Sequence, residues 1–311
     1  MAEQGKNKTV IIIAGPTAVG KTAVAIDVAR HFTTEIISAD SRQCFKELNI
    51  GVARPSPEEL KTVKHHFIAS HSIKEEVTAV TFEQYALPKV NELFQQHDVV
   101  VMTGGTGLYI KAFCEGLDAI PGVPAEIRNA IIAKYEQQGI QWLQNEIEKK
   151  DPLFYRDGEM QNPQRIMRAL EVVEATGQSI LDFRKGEKKK RPFTILKIGL
   201  ELPKEELTQR INKRVDQMMK AGLLDEVKNL LSYKHLNALQ TVGYAEIIDF
   251  LEGKTDLQTA VAEIKIHTRQ YAKRQMTWFK KNKEVKWFSA GDSGPIVEYV
   301  NEKLRNENNS D

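Results

Sequence analysis

Short, nearly unbroken apolar runs alternate along this chain with longer stretches of helical periodicity. The runs are Val10 to Ala14, Glu35 to Ala39, Val99 to Thr103 and Phe193 to Leu202. A strand with one wet face alternates apolar and polar residues, whereas a strand covered by helices on both faces does not. The runs therefore predict the mainly parallel sheet of an α/β core flanked by helices. "VKWFS", Val285 to Ser289, predicts a last short strand. Between the third and fourth runs, from near Gly116, the pattern is helical only. In "NPQRIMRALEVVEATG", Asn162 stands as N-cap, Pro163 at the first helical position and Gly177 just past the end, which bounds that helix sharply. The organisation predicted is a core of residues 1–115 and 190–311 carrying an all-helical insertion at 116–189. The polar start "MAEQGKNK" leads straight into a strand, and the tail "NEKLRNENNSD" is expected to fray. No internal repeat is visible.

Composition narrows the class without naming a function. A chain of 311 residues, 41% hydrophobic, is long enough for one large domain with an insertion. Cys44 and Cys114 form no C-x-x-C pair or metal-like cluster, so a reducing compartment is expected. No apolar run approaches a membrane span or signal-peptide core, and a soluble cytoplasmic protein is the expectation. A net charge of +2 is too mild to imply a nucleic-acid partner by itself, so that case rests on where basic residues cluster.

The first candidate chemistry is "AGPTAVGKTAV", which contains G-x-x-x-x-G-K-T with Gly15, Gly20, Lys21 and Thr22 in the defining places. A strand leads in and a helix leads out, the context this phosphate-binding loop requires. Backbone amides of residues 15 to 22 are expected to form a concave nest at a helix N-terminus, where partial positive charge favours phosphate oxygens. Lys21 adds a point charge, and Thr22 a hydroxyl for Mg²⁺. Many triphosphate hydrolases and kinases of this class end a second strand in a metal-supporting acid. Here "HDVVVMTGGTGLY" ends in Thr103 and glycines, with Asp98 at the wrong end, which weakens the triphosphate reading. Asp40 follows the second strand on the same carboxyl-end rim and is a candidate general base, or else a turn residue. "TGGTGLY" presents Thr106 between Gly105 and Gly107 on that rim, where tight packing explains the glycines equally well.

Seven segments, "GPTAVGKT", "SADSRQ", "GGTGLY", "NPQRIMRALEV", "RVDQMMKAGLLDEV", "TVGYAEIIDFLEG" and "TRQYAKRQMTWF", resemble the tRNA dimethylallyltransferases (tRNA isopentenyltransferases), in family order across nearly the whole chain. The resemblance implies a P-loop-type fold that transfers a dimethylallyl group from dimethylallyl pyrophosphate to the exocyclic N6 amine of the adenosine 3′-adjacent to the anticodon. Gly15, Pro16, Thr17, Ala18, Val19, Gly20, Lys21 and Thr22 would then hold the pyrophosphate of a prenyl donor, with Mg²⁺ near Thr22. Asp40 matches the family's general base. Lys21 serves catalysis at the leaving group, and Thr106 matches the position touching the reacting nucleotide. Arg214 in "KRVDQMM" is the implied extra pyrophosphate contact, with Arg210 as competitor. Two departures are visible, Val19 where the family often has Ser and Phe45 where it often has Tyr. Neither is given a polar role.

For tRNA binding the resemblance implies Asp40, Ser41, Arg42 and Gln43 on the rim. In the insertion it implies Arg128 with Gln164, Arg165, Ile166, Met167 and Arg168. On a helical wheel Ile166, Leu170 and Val173 share one face, opposite Gln164, Arg165 and Arg168. Lys265, Arg269 and Lys273 form an i, i+4, i+8 stripe suited to tracking phosphates. Beside it Ile264, Thr268, Tyr271, Gln275 and Trp278 form a neighbouring stripe, and the rings of Tyr271, Trp278 and Phe279 read as core anchors rather than base-stacking platforms. "RKGEKKKR", Arg184 to Arg191, reads as a mobile basic loop or solvated linker. His65, His66 and His71 lack the neighbouring Cys or acids of a zinc site. The family's eukaryotic members carry a C-terminal zinc finger; the end of this chain resembles the compact bacterial type and implies a monomer. Three other functions stay open on the residues alone: a free-adenylate isopentenyltransferase, a small-molecule kinase using 184–191 as a lid, and a nucleotide-switched RNA-binding protein.

Overall fold

The computed structural model of the protein describes residues 8–308. The chain forms two compact units, one from Glu115–Lys189 and the other from the residues on either side.

In the larger unit the predicted runs become β1 (Thr9–Ala14), β2 (Ile36–Ser38), β4 (Val99–Gly104), β5 (Thr194–Glu201) and β6 (Lys286–Ser289). A two-residue strand, β3 (His65–His66), was not predicted, being too short to leave a pattern. Among the described residues these form one sheet in the order β3-β2-β4-β1-β5-β6. Each pairing is parallel, so all carboxyl ends meet on one rim. β1 and β4, in the middle, are buried at every position, as their unbroken apolar sequence requires.

Helices cover the sheet: α1 (Lys21–His31), α2 (Pro57–Thr62), α3 (Ala79–Leu93), and α4 (Gly107–Glu115). In the smaller unit lie α5 (Ala125–Lys150), α6 (Pro152–Asp157), α7 (Pro163–Thr176) and α8 (Ile180–Phe183). The chain then adds α9 (Lys204–Lys220), α10 (Leu223–Asn229), α11 (Tyr244–Leu251), α12 (Leu257–Lys280) and α13 (Gly294–Asn308). The expected fraying of the tail is corrected up to Asn308. Ile296 and Val300 are fully buried in the same core as Ile11, Val28 and Ile198, which holds α13 in place. The expectation for the last three residues, and for the polar start, lies outside the described residues.

The smaller unit is all-helical among its described residues. Asn162 accepts from the amides of Gln164 and Arg165, and Gly177 closes α7 with φ 73°, a left-handed conformation suited to glycine. Ile131, Leu143, Ile147, Phe154, Ile166 and Leu170 make its core. α5 is two helical segments meeting at Gly139, whose φ is 71°.

The 184–191 segment is not a free linker. Arg191 donates to the Phe113 carbonyl (2.7 Å) and to Glu83 (2.8 Å), with both side chains about nine-tenths buried. Within the smaller unit Lys188 reaches Glu115 (3.0 Å), and the Gly186 amide donates to Asp118 (2.9 Å).

Candidate active site

Three loops meet on the carboxyl rim: 15–20 after β1, 39–43 after β2 and 104–107 after β4. They are tied together by backbone and side chain alike. The Ala39 amide donates to the Thr103 carbonyl (2.7 Å) and the Thr106 amide to the Ala39 carbonyl (3.2 Å). The Ser41 amide donates to Thr106 Oγ1 (3.0 Å), and that hydroxyl donates to Ser41 Oγ (3.3 Å).

The first loop has phosphate-binding geometry. Gly20 (φ 104°) and Ala18 (φ 64°) are left-handed, which coils the backbone into the start of α1. Lys21 Nζ donates to the Gly15 and Pro16 carbonyls at 3.0 and 2.7 Å, folding its charge over the loop. Burial pushes the Lys21 ammonium down to about 7, with the Arg214 charge acting the same way and Asp40 opposing. Val19 is fully buried in the hydrophobic core, so only its backbone faces the loop. The expectation that amides 15 to 22 all serve the nest needs correction at two places. Pro16 has no N–H, and the Thr17 amide is taken by Gln275 Oε1 at 2.8 Å.

Gln275 lies on the helical stripe beside the basic one. It is buried, and it bridges two of the three loops, because its Nε2 also donates to the Gly105 carbonyl at 2.9 Å. A Cβ at Gly105 would strike Gln275, and one at Gly107 would strike the Trp278 indole, so close packing of α12 explains both glycines. Tyr271 and Trp278 are 38% and 40% exposed and are not core anchors; Phe279, at 5%, is.

Asp40 Oδ1 accepts from the amides of Arg42 (2.9 Å) and Gln43 (3.2 Å), a local turn that fixes the carboxylate. Asp40 lines a cavity of ≈ 240 Å³ together with Thr17, Ser41, Arg42, Arg214 and Tyr271, whose apolar wall is Val52, Val215, Met218 and Ile264. Partial burial and the nearby Asp40 charge push the Tyr271 phenol up to about 12, so it stays a donor. Arg214 donates to Thr17 Oγ1 at 3.1 Å, and burial holds its guanidinium below the usual value. Arg210 is paired with Glu206 (2.8 Å) and reaches only the Val19 carbonyl (3.4 Å), so Arg214 is the better placed of the two.

The cavity's Val52–Ala53 wall is clamped from two sides. Gln43 Nε2 donates to the Ala53 carbonyl (3.0 Å) and the Val52 carbonyl (3.3 Å), which commits a side chain expected to meet tRNA to the protein itself. Glu226 accepts from the Ile50 amide (2.8 Å), the Gly51 amide (3.1 Å) and the Tyr244 hydroxyl (2.5 Å). Glu226 and Tyr244 lie inside two of the segments quoted above, but a buried clamp leaves no periodic signature to find them by. Arg42, half-buried, reaches Asn237 at 3.1 Å.

The basic stripe of α12 is partly spent within the same unit. Lys265 pairs with Asp216 (2.6 Å) and Arg269 donates to Asn212 (2.8 Å), both on α9. Lys273 lies with Arg269 and Lys280 along a groove of ≈ 620 Å³ that includes Pro16.

In the smaller unit Gln164 and Arg165 are exposed, whereas Ile166 and Met167 have side chains 0% and 4% exposed. The last two are corrected from tRNA contacts to core residues. Arg168 donates to Glu171 at 3.0 Å, and Arg128 lies 3.8 Å from the same carboxylate, which is 6% exposed.

The sequence model of the IPP transferase family matches residues 43–282. The chain belongs to this family. Among its relatives is a tRNA dimethylallyltransferase of Christiangramia forsetii, 49% identical over 94% of this chain and 98% of the relative. The tRNA dimethylallyltransferase 1 of Bacteroides thetaiotaomicron is 46% identical over 94% and 95%. Of solved family structures, the full-length tRNA isopentenylpyrophosphate transferase of Bacillus halodurans superposes with a TM-score of 0.72 at 32% identity, covering 97% of this chain and 98% of that one. A eukaryotic dimethylallyltransferase described as acting on tRNA gives 0.73 at 26% identity, covering 96% of this chain and 80% of that one. The family's P-loop core is thus the sheet described above, with the three loops on its carboxyl rim. No helix among the described residues is long and apolar enough to cross a membrane.

Proposed function

We propose that this chain transfers the dimethylallyl group of dimethylallyl pyrophosphate to the N6 amine of an adenosine in tRNA, the one 3′-adjacent to the anticodon, working as a monomer in the cytoplasm. The observation that carries this reading is the meeting of Arg214 and Asp40 on a cavity with an apolar wall, with the Lys21 charge close enough to feel both. Lys21, Arg214 and the remaining loop amides suit a pyrophosphate that gains charge as it leaves. Val215, Met218 and Ile264 suit a short branched hydrocarbon.

Adenine's amine is a weak nucleophile because its lone pair is delocalised into the ring. Removing its proton as the new C–N bond forms therefore lowers the barrier, and Asp40, held by two backbone amides, is placed to take it. Thr106 and Ser41 present hydroxyls on the same rim for the incoming base. The base must leave its stack to get there, which places binding energy for the rest of the RNA elsewhere on the protein. Arg128, Gln164, Arg165 and Arg168 in the insertion, and Arg42 on the rim, are proposed to supply it.

Mg²⁺ fits the donor set beside the loop. The Thr22 hydroxyl offers a hard oxygen ligand, and among the described residues no group of three or more His, Cys, Asp and Glu competes for a different metal. One or two protein oxygens with water and phosphate completing the shell is the usual habit of this ion. When bound there, it would neutralise charge on the leaving pyrophosphate.

The test is an acceptor assay with labelled dimethylallyl pyrophosphate or ATP as donor and tRNA, an anticodon stem-loop, AMP or no acceptor. Prenylation of tRNA and of the stem-loop, with AMP far poorer, is expected. Prenylation of AMP as fast as of the stem-loop, or phosphorylation by ATP, would overturn the reading.

A further inference from the structure

A second, smaller cavity of ≈ 30 Å³ lies beneath the phosphate loop, lined by Lys21, Thr22, Ser38, Asp40, His65 and Thr103 among others. That volume holds one or two water molecules. Its polar lining is mostly committed. Thr103 Oγ1 donates to the Ile13 carbonyl (3.2 Å), Ser38 Oγ to Gln43 Oε1 (3.3 Å), and Lys21 to the loop carbonyls.

His65 is different. Its Nδ1 lies 2.7 Å from the Val63 carbonyl, which only accepts, so Nδ1 carries the proton and Nε2 bears a lone pair. That Nε2 is buried and has no partner within the protein. A buried acceptor left without a donor is destabilising, so one lining a water-sized polar cavity points to a donor that arrives with a ligand. Burial holds the His65 pKa below its ordinary value, which keeps the ring neutral and the acceptor available. Strand alternation separates the two adjacent histidines. His66 meets Glu35 at 2.5 Å and has no part in this cavity.

The position also fills a gap. The end of β4, where related loops place an acid that receives hydrogens from metal-bound water, holds Thr103, whose hydroxyl already faces the Ile13 carbonyl. We propose that His65 is the outer-sphere anchor of the divalent cation, its Nε2 accepting a hydrogen bond from a water on the cation that Thr22 and the pyrophosphate hold. This rests on the Mg²⁺ and pyrophosphate reading above. His65 is accordingly a positioning residue, acting on the cation through water.

Two substitutions separate the ring nitrogens. His65→Asn keeps a donor near the Val63 carbonyl and removes the distal acceptor, whereas His65→Gln restores an acceptor at the distal position. The probe is Mn²⁺, titrated by electron paramagnetic resonance with and without inorganic pyrophosphate, on the full chain. In His65→Asn, Mn²⁺ affinity of the pyrophosphate complex should fall about ten-fold or more. The Mg²⁺ concentration giving half-maximal prenyl transfer should rise by the same factor. Pyrophosphate affinity without a divalent ion should not change, and His65→Gln should recover most of the loss. Wild-type Mn²⁺ affinity in His65→Asn, or no recovery in His65→Gln, would overturn the inference. So would Mn²⁺ binding to the wild type that ignores pyrophosphate, even with prenyl transfer intact. Loss of the prenyl-transfer reading with the Mn²⁺ pattern as expected would leave His65 as a cation anchor for another pyrophosphate reaction.

Discussion

The carboxyl rim of the sheet and helix α7 of the insertion both carry polar residues that the family resemblance picks out, yet they are built in opposite ways. On the rim, Asp40 and Lys21 are held by backbone amides or carbonyls of their own loops, Thr106 by the Ser41 amide of another, and Thr17 by the Gln275 and Arg214 side chains. Their positions follow from the ends of parallel strands and cannot drift. On α7 the polar residues ride a helix whose caps and apolar face do the structural work, and Arg168 is oriented by the buried Glu171 and the Pro121 carbonyl. A rim of this kind suits chemistry that tolerates little displacement, whereas a helix face suits contacts with an extended polyanion.

Substitution at the general base should separate the two regions most sharply. Asp40→Asn should lower single-turnover prenyl transfer by about a hundred-fold or more while leaving donor affinity nearly intact. Near wild-type turnover in that variant would remove Asp40 from the chemistry.

Next in size is the bridge between loops. Gln275→Leu leaves the Thr17 amide and the Gly105 carbonyl without their partner, at about 1–3 kcal/mol for each group that stays buried. Urea unfolding should show that loss, together with weaker pyrophosphate binding. An unaltered midpoint would mean that the two loops hold their shape without α12.

A smaller effect, readable without unfolding anything, is the pH dependence of pyrophosphate binding. Lys21 titrates near 7 in the free protein, and a bound pyrophosphate favours its charged form, so its pKa rises in the complex. Below about 7 the lysine is already charged and affinity gains nothing further from it. Above that pH binding takes up a proton, and affinity should fall by up to about ten-fold per unit. Calorimetry in two buffers of different ionisation heat measures the uptake, and Lys21→Met should abolish this part of it. Equal uptake in the variant would assign the titration to pyrophosphate itself.

The insertion should yield the mildest changes. Arg165→Ala should weaken tRNA binding a few-fold and lower the slope of log affinity against log salt by about one, because one fewer counterion is released. Arg168→Ala should cost less affinity, since its charge already has Glu171 as partner. Donor binding should stay constant in both, and a change there would erase the distinction between the two regions.

What was legible in the sequence was local. Apolar runs marked β1, β2 and β4, since a strand buried on both faces has few polar positions to spare, and β5, half-buried and interrupted by Lys197, was marked by a looser run. Asn162, Pro163 and Gly177 bounded α7 because caps act within a few residues of the helix they end. The phosphate loop was legible for the same reason, its glycines being demanded by the backbone of the loop itself. The rest depended on residues distant in the chain. Gln275 and Trp278 set the need for Gly105 and Gly107, Glu226 and Tyr244 clamp the wall near Gly51, and His65 comes under the loop only because β3 pairs with β2. Helical spacing put Gln275 and Tyr271 in one stripe, but it says nothing of which neighbour a stripe meets. That neighbour is chosen by packing the whole sheet and its helices into one volume, and the commitments of buried polar groups are settled only there.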